Sequence, residues 1–153
     1  MSDKVTFELD VKKMVAALER MNGCAGEALK SGALAGGMAI QAGMKRRITQ
    51  GGKSGRLYKR GKGGWHQASA PGEAPASDTG ALANSIETRI SKSSPDYAES
   101  ETGPTVEYGG MLEYGTSRVK ARPYARPTLD EDADLIQDAM RRALEHALKR
   151  AML

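Results

Sequence analysis

Polar and apolar positions alternate from Lys4 to Asp10, with Val5, Phe7 and Leu9 on one side of the pattern, which predicts a short half-buried strand. The period then changes. Val11, Met14, Val15, Leu18 and Met21 recur at helical spacing, and Asp10 ahead of them is placed to accept from the free amides of a first turn. A helix is predicted over 11–21, closed by Asn22-Gly23. From Cys24 to Ile48 the period is helical again, with bulk from Leu29, Leu34, Met38, Ile40, Met44 and Ile48. Small residues fill the spaces between, among them Gly26, Gly32, Gly36, Gly37 and Gly43. Each interior glycine costs a helix about 1 kcal/mol relative to alanine. The expected return is close approach of another backbone, in a core or at a subunit interface.

Residues 49–80 break every period, with Gly51-Gly52, Gly55, Gly61, Gly63-Gly64, Pro71-Gly72, Pro75 and Gly80. A structureless stretch of this length in a compact chain is a binding loop or one that orders only against a partner. Thr79 to Ser85 predicts one helical turn, and Ile86, Thr88 and Ile90 alternate as a strand over 85–91. Tyr97–Glu101 and Thr105–Tyr108 read as two more strands that turn at Gly103-Pro104. The last apolar stripe, Leu129, Ala133, Ile136, Met140, Ala143, Leu144, Ala147 and Ala151, predicts a helix over 129–150. Thr128 with Glu131 gives it a capping box, acids crowd its start, and Lys149 and Arg150 sit at its end. The expected architecture is α+β: a small, mostly antiparallel sheet packed against an N-terminal helix pair and a long C-terminal helix.

Length and composition narrow this picture. The 153 residues, 16.3 kDa, fit one domain spanning 1–153, and with one Trp and one Phe its core is aliphatic and small-residue packed. No run approaches the ~20 apolar residues that span a bilayer, and the amino terminus lacks the pattern of a secretion signal, so no membrane association is expected. Cys24 is alone, and His66 and His146 are the only histidines, so neither a disulfide nor a metal or other cofactor is expected. Charge is polarised. Between Glu27 and Glu73 lie nine bases and no acid: Lys30, Lys45, Arg46, Arg47, Lys53, Arg56, Lys59, Arg60 and Lys62. From Glu73 onward, fourteen acids face ten bases.

Catalytic patterns are sparse. Gly52-Lys53-Ser54 resembles the tail of a phosphate-binding loop, but Arg47 stands where the first glycine is required. Glu107 and Glu113 are candidates for a carboxylate pair, and His66 beside Trp65 for a base, a stacking partner or an ordinary exposed or interface residue. His146 beside the apolar stripe and Cys24 as a small buried hydrophobe read as structural. No catalytic residue is expected. The basic segment 45–62 gives a second reading: its Lys and Arg neutralise phosphates while Tyr58, Trp65 and His66 stack on bases, without a sequence-reading motif.

Two segments together carry a resemblance. Residues 68–86 read Ala-Ser-Ala-Pro-Gly-Glu-Ala-Pro-Ala-Ser-Asp-Thr-Gly-Ala-Leu-Ala-Asn-Ser-Ile, and residues 112–128 read Leu-Glu-Tyr-Gly-Thr-Ser-Arg-Val-Lys-Ala-Arg-Pro-Tyr-Ala-Arg-Pro-Thr. The pair resembles the tail-completion, or head–tail joining, proteins of long-tailed double-stranded DNA bacteriophages of the lambdoid type. In that family a small-Pro-Gly-x-x-Pro segment leads to Thr-Gly-x-Leu-x-x-Ser-Ile, and Glu-Tyr/Phe-Gly-Thr leads to Ala-Arg-Pro and Arg-Pro before a C-terminal helix. One departure is Gly109-Gly110 ahead of Met111, where the family commonly has Ala-Pro; it bears on the local backbone there.

The resemblance implies a non-catalytic ring, hexameric in the family, at the virion neck or head-proximal tail end, assembled in the host cytoplasm. Its implied partners are its own copies, a head-completion (stopper) protein and a tail terminator or tube protein, with passive contact to the DNA in the channel. The implied interface comprises Glu113, Tyr114, Gly115, Thr116, Arg118, Arg122, Pro123 and Arg126, and Lys53, Arg56, Tyr58, Lys59, Arg60, Lys62, Trp65 and His66 face neighbours or the channel. The residue types suit such a role. Gly115 allows a positive-φ turn, Thr116 can satisfy local backbone groups, and Arg118, Arg122 and Arg126 are fork donors for carboxylates, either on the last helix or on a neighbour. Pro123 and Pro127 hold their own backbone extended.

Overall fold

The computed structural model describes residues 11–151 apart from Lys62, so the strand expected over 4–10 and the Asp10 cap lie outside the described residues. In chain order come α1 (Val11–Gln50), β1 (Leu57–Lys59), β2 (Trp65–Gln67), α2 (Ala81–Asn84), β3 (Ile86–Ser94), β4 (Tyr97–Pro104), α3 (Tyr108–Tyr114), α4 (Arg126–Glu131) and α5 (Ala133–Ala151). The architecture is α+β.

The expected N-terminal helix pair is instead one helix of 40 residues that runs through Asn22-Gly23. An Asn-Gly pair costs a helix roughly 1–2 kcal/mol, less than breaking a backbone ladder that continues on both sides. α1 is the spine of the molecule, and its glycines let two elements approach. A Cβ at Gly43 would lie 2.5 Å from the Thr128 methyl, one at Gly36 would run into Met140, and one at Gly32 would lie 3.4 Å from the Met140 carbonyl, so α5 packs antiparallel on this side. Beside it, a Cβ at Gly37 would strike the Thr88 methyl and come within 2.9 Å of Thr102 Oγ1, and one at Gly26 would lie 3.1 Å from Pro95 Cα. The β3–β4 hairpin occupies that side. Its hydroxyls bond to α1: Ser100 donates to the Ala33 carbonyl at 2.7 Å, Thr102 to the Gly37 carbonyl at 3.2 Å and Thr88 to Gln41 Oε1 at 2.9 Å.

β3 and β4 pair antiparallel from Ile86↔Pro104 to Ser94↔Tyr97, with a bulge at Ser91. β4 therefore runs through Gly103-Pro104 instead of turning there. The strand expected over 105–108 is absent because the chain bends after Pro104 and enters α3. The main core gathers around the C-terminal half of α1, where Met44, Ile48, Leu82, Ala83, Ile86 and Tyr124 are buried together.

Two further expectations change. The stretch 49–80 is not featureless: β1 and β2 form an antiparallel hairpin within it, and Glu73 ties its base together. The Glu73 carboxylate accepts from the Ser54 hydroxyl, the Ser54 amide at 2.9 Å and the Ala70 amide at 2.8 Å, so it takes shape against its own chain. The Ser54 hydroxyl first, and the two amides after it, hold the Glu73 carboxyl below its usual range. The final helix starts at Arg126 and breaks at Asp132, whose backbone leaves helical geometry (φ −101°, ψ 12°) while its carboxylate reaches Arg46 at 2.7 Å and Arg47 at 3.6 Å. No capping box forms. Thr128 lies inside α4, donating to the Tyr124 carbonyl at 2.7 Å, and Glu131 pairs with Arg47 at 2.9 Å.

Candidate functional site

A helix begins with backbone amides that lack partners inside it. At α4 no neighbouring side chain caps them, and Pro127 removes one donor from the first turn. The cap comes from α3. Glu113 is buried, and its carboxylate accepts from the amides of Tyr124 at 2.7 Å, Ala125 at 2.9 Å and Arg126 at 2.9 Å. The carboxylate of the Glu-Tyr-Gly-Thr run thus fixes the Arg-Pro-Tyr-Ala-Arg-Pro run eleven to thirteen residues later. Glu113 is therefore engaged with backbone and forms no free acid–base pair with exposed Glu107.

The chain between them closes tightly. Gly115 takes φ +76°, and a Cβ there would lie 2.8 Å from the Ala121 amide, so this turn requires glycine. Thr116 Oγ1 accepts from the amides of Arg118 at 3.2 Å and Val119 at 3.0 Å, and the Arg122 amide donates to the Leu112 carbonyl at 2.7 Å. Tyr124 inserts beneath the turn, its hydroxyl donating to the Gly109 carbonyl at 3.1 Å. A side chain at Gly109 would strike Pro104 and approach the Tyr124 hydroxyl. Burial first, and the Glu113 charge second, push the Tyr124 hydroxyl up to about 12.

This closed turn docks on the other segment. Arg122 Nε donates to Ser69 Oγ at 2.9 Å, its guanidinium reaches the Ser69 carbonyl at 3.3 Å, and the Gly72 amide donates to the Ala121 carbonyl at 3.0 Å. The β1–β2 hairpin rises beside the joint. Tyr58 faces His66 across the strands, ring centroids 5.3 Å apart, and His66 is buried. Arg60 donates to His66 Nδ1 at 2.9 Å and pairs with Asp78; because arginine has only donors, Nδ1 accepts. An open cleft of about 190 Å³ lies between hairpin and turn, lined by Tyr58, His66, Ser69, Asp78 and Arg122.

The expected site residues thus divide. Glu113, Gly115, Thr116 and Arg122 build the joint, with half-buried Pro123 beside them, while Tyr114 stands 76% exposed. Arg118 and Arg126 are exposed and form no ion pair among the described residues; Arg46 and Arg47 instead pair with Asp132 and Glu131. Of the hairpin set, Arg60 and His66 turn inward, which corrects the exposed reading of His66, and Trp65, Arg56 and Lys59 remain exposed. Lys62 lies outside the described residues. Cys24 is half-buried and not fully enclosed, and His146 is exposed. Ser69, Glu73 and Asp78 went unnoticed in the sequence, where their partners lie up to 53 positions away and no local spacing marks them.

Among the described residues no cluster of three or more potential metal ligands occurs, and no helix is long and apolar enough to cross a membrane. No family model, no curated protein and no solved structure matches the chain.

Proposed function

We propose that this chain is a structural virion protein, a tail-completion or head–tail joining protein that acts as an oligomeric ring at the neck or head-proximal tail end of a long-tailed phage. The observation that carries the reading is the joint itself. The two segments that resemble the family lie far apart in sequence, and they bond to each other through Arg122–Ser69 and Gly72–Ala121. A likeness in two unrelated stretches has no reason to coincide with one structural unit, whereas a shared fold does. The residues the joint leaves outside, Tyr114, Met111 and Tyr108, form an exposed apolar rim suited to a protein partner. Its role is adhesion, without catalysis, to further copies and to the neighbouring neck and tail proteins.

The alternative, non-specific DNA binding through 45–62, loses support because Arg46, Arg47 and Arg60 are neutralised within the chain. Immunogold labelling of purified virions tests the proposal. Gold at the head–tail junction is expected; gold confined to the distal tail tip, or none on particles, would contradict it.

A further inference from the structure

We propose that the outward face of the β1–β2 hairpin docks on the α4–α5 bend of a second copy of this chain, head to tail. This rests on the oligomeric reading above and names the two surfaces that would meet.

The hairpin has an inner and an outer face. Successive strand side chains alternate, so Tyr58 and His66, paired in register, share the inner face over the cleft. Leu57, Lys59, Trp65 and Gln67 therefore share the other. Leu57 is 53% exposed and Trp65 66%, and Lys59 lies directly across from Trp65, so Lys59 is the base of this face. A two-stranded ribbon is marginal without cover on its faces, and three-residue strands with a bare Trp and Leu are an unfinished surface. Among the described residues Lys59 has no carboxylate partner.

The bend between α4 and α5 is complementary. Leu129 is 49% exposed and Leu135 63%, and they flank Asp130 and Asp134, both exposed and without an ion-pair partner among the described residues. The intervening Glu131 and Asp132 are held by α1 arginines, which fixes the bend in place. Two apolar side chains with the base Lys59 thus face two apolar side chains with two acids. Charge of opposite sign steers such surfaces together, and like charge at the same place strongly disfavours them. Because the two patches differ, the contact is heterologous, the kind that repeats round a closed ring.

Sedimentation velocity of the purified full chain tests this. Lys59→Glu and Asp130→Lys/Asp134→Lys are each expected to weaken association at least tenfold, and Trp65→Ser comparably. An equal mixture of the two charge variants should assemble again, because each hairpin then matches the other variant's bend; that rescue also shows that both variants fold. Wild type that assembles while both variants assemble equally well overturns this inference and leaves the oligomeric reading standing. Wild type that stays monomeric overturns both. Loss of assembly with Glu107→Lys instead of the bend variant places the docking surface at α3 and also overturns it. So does a hairpin variant that assembles normally but no longer retains double-stranded DNA.

Discussion

Glu113 performs for α4, from another helix, the task that a capping residue usually performs from the adjacent position. Three amides converge on its two oxygens, and only a carboxylate offers acceptors alone. Glu113→Gln places an NH₂ donor against donors, so the chain is expected to lose on the order of 3 kcal/mol, read as a lower denaturant midpoint with unchanged slope. A loss under about 0.5 kcal/mol would show that the three bonds are dispensable. Tyr124 gives a second check. The fold favours its neutral phenol, raised from 10.0 to about 12, so this contribution is complete below pH 10 and is lost as pH rises from 10 toward 12. Alkaline stability measurements should show that decline, and Tyr124→Phe should flatten it.

At the scale of elements, α1 shows why composition and conformation separate. Its glycines fall into two kinds. At Gly37 an added methyl meets Thr88, Thr102 and Ser100, so Gly37→Ala is expected to destabilise by about 1–3 kcal/mol despite better helix propensity. At Gly23 nothing lies within 4 Å, and Gly23→Ala should stabilise by up to about 1 kcal/mol. Thermal unfolding of the two variants should move in opposite directions; a shared direction would refute the packing assigned to α1. Close approach was legible in the small residues, though Asn22-Gly23 wrongly suggested a stop, because a turn pair ends a helix only where the chain has somewhere better to go. Ile86, Thr88 and Ile90 announced β3 by their alternation, and the stripe from Ala133 to Ala151 announced α5. The β1–β2 hairpin was hidden, since strands of three residues are too short for a period to register. The break at Asp132 was hidden too. It depends on Arg46 and Arg47, 85 or more positions away in sequence.

At the scale of the whole molecule, a small interior among the described residues goes with a broad exposed apolar surface. Among the described residues nine apolar residues are buried, three of them alanine, while Trp65, Leu135, Tyr114 and Met111 stand in the open. The polarity of charge along the sequence survives folding in part: arginines of α1 neutralise acids of α4 and the bend, and the remainder leaves a basic hairpin and an acidic bend on separate elements. The segments 68–86 and 112–128 were readable as a pair of motifs, but what pairs them, Arg122 on Ser69 and Glu113 on the start of α4, joins residues 11 to 53 positions apart that no local pattern marks. Electron microscopy of lysates from the parent phage with this gene interrupted by a stop codon tests the central claim most directly. DNA-filled heads beside separate, unjoined tails are the predicted result, and normal infectious particles would contradict a joining role.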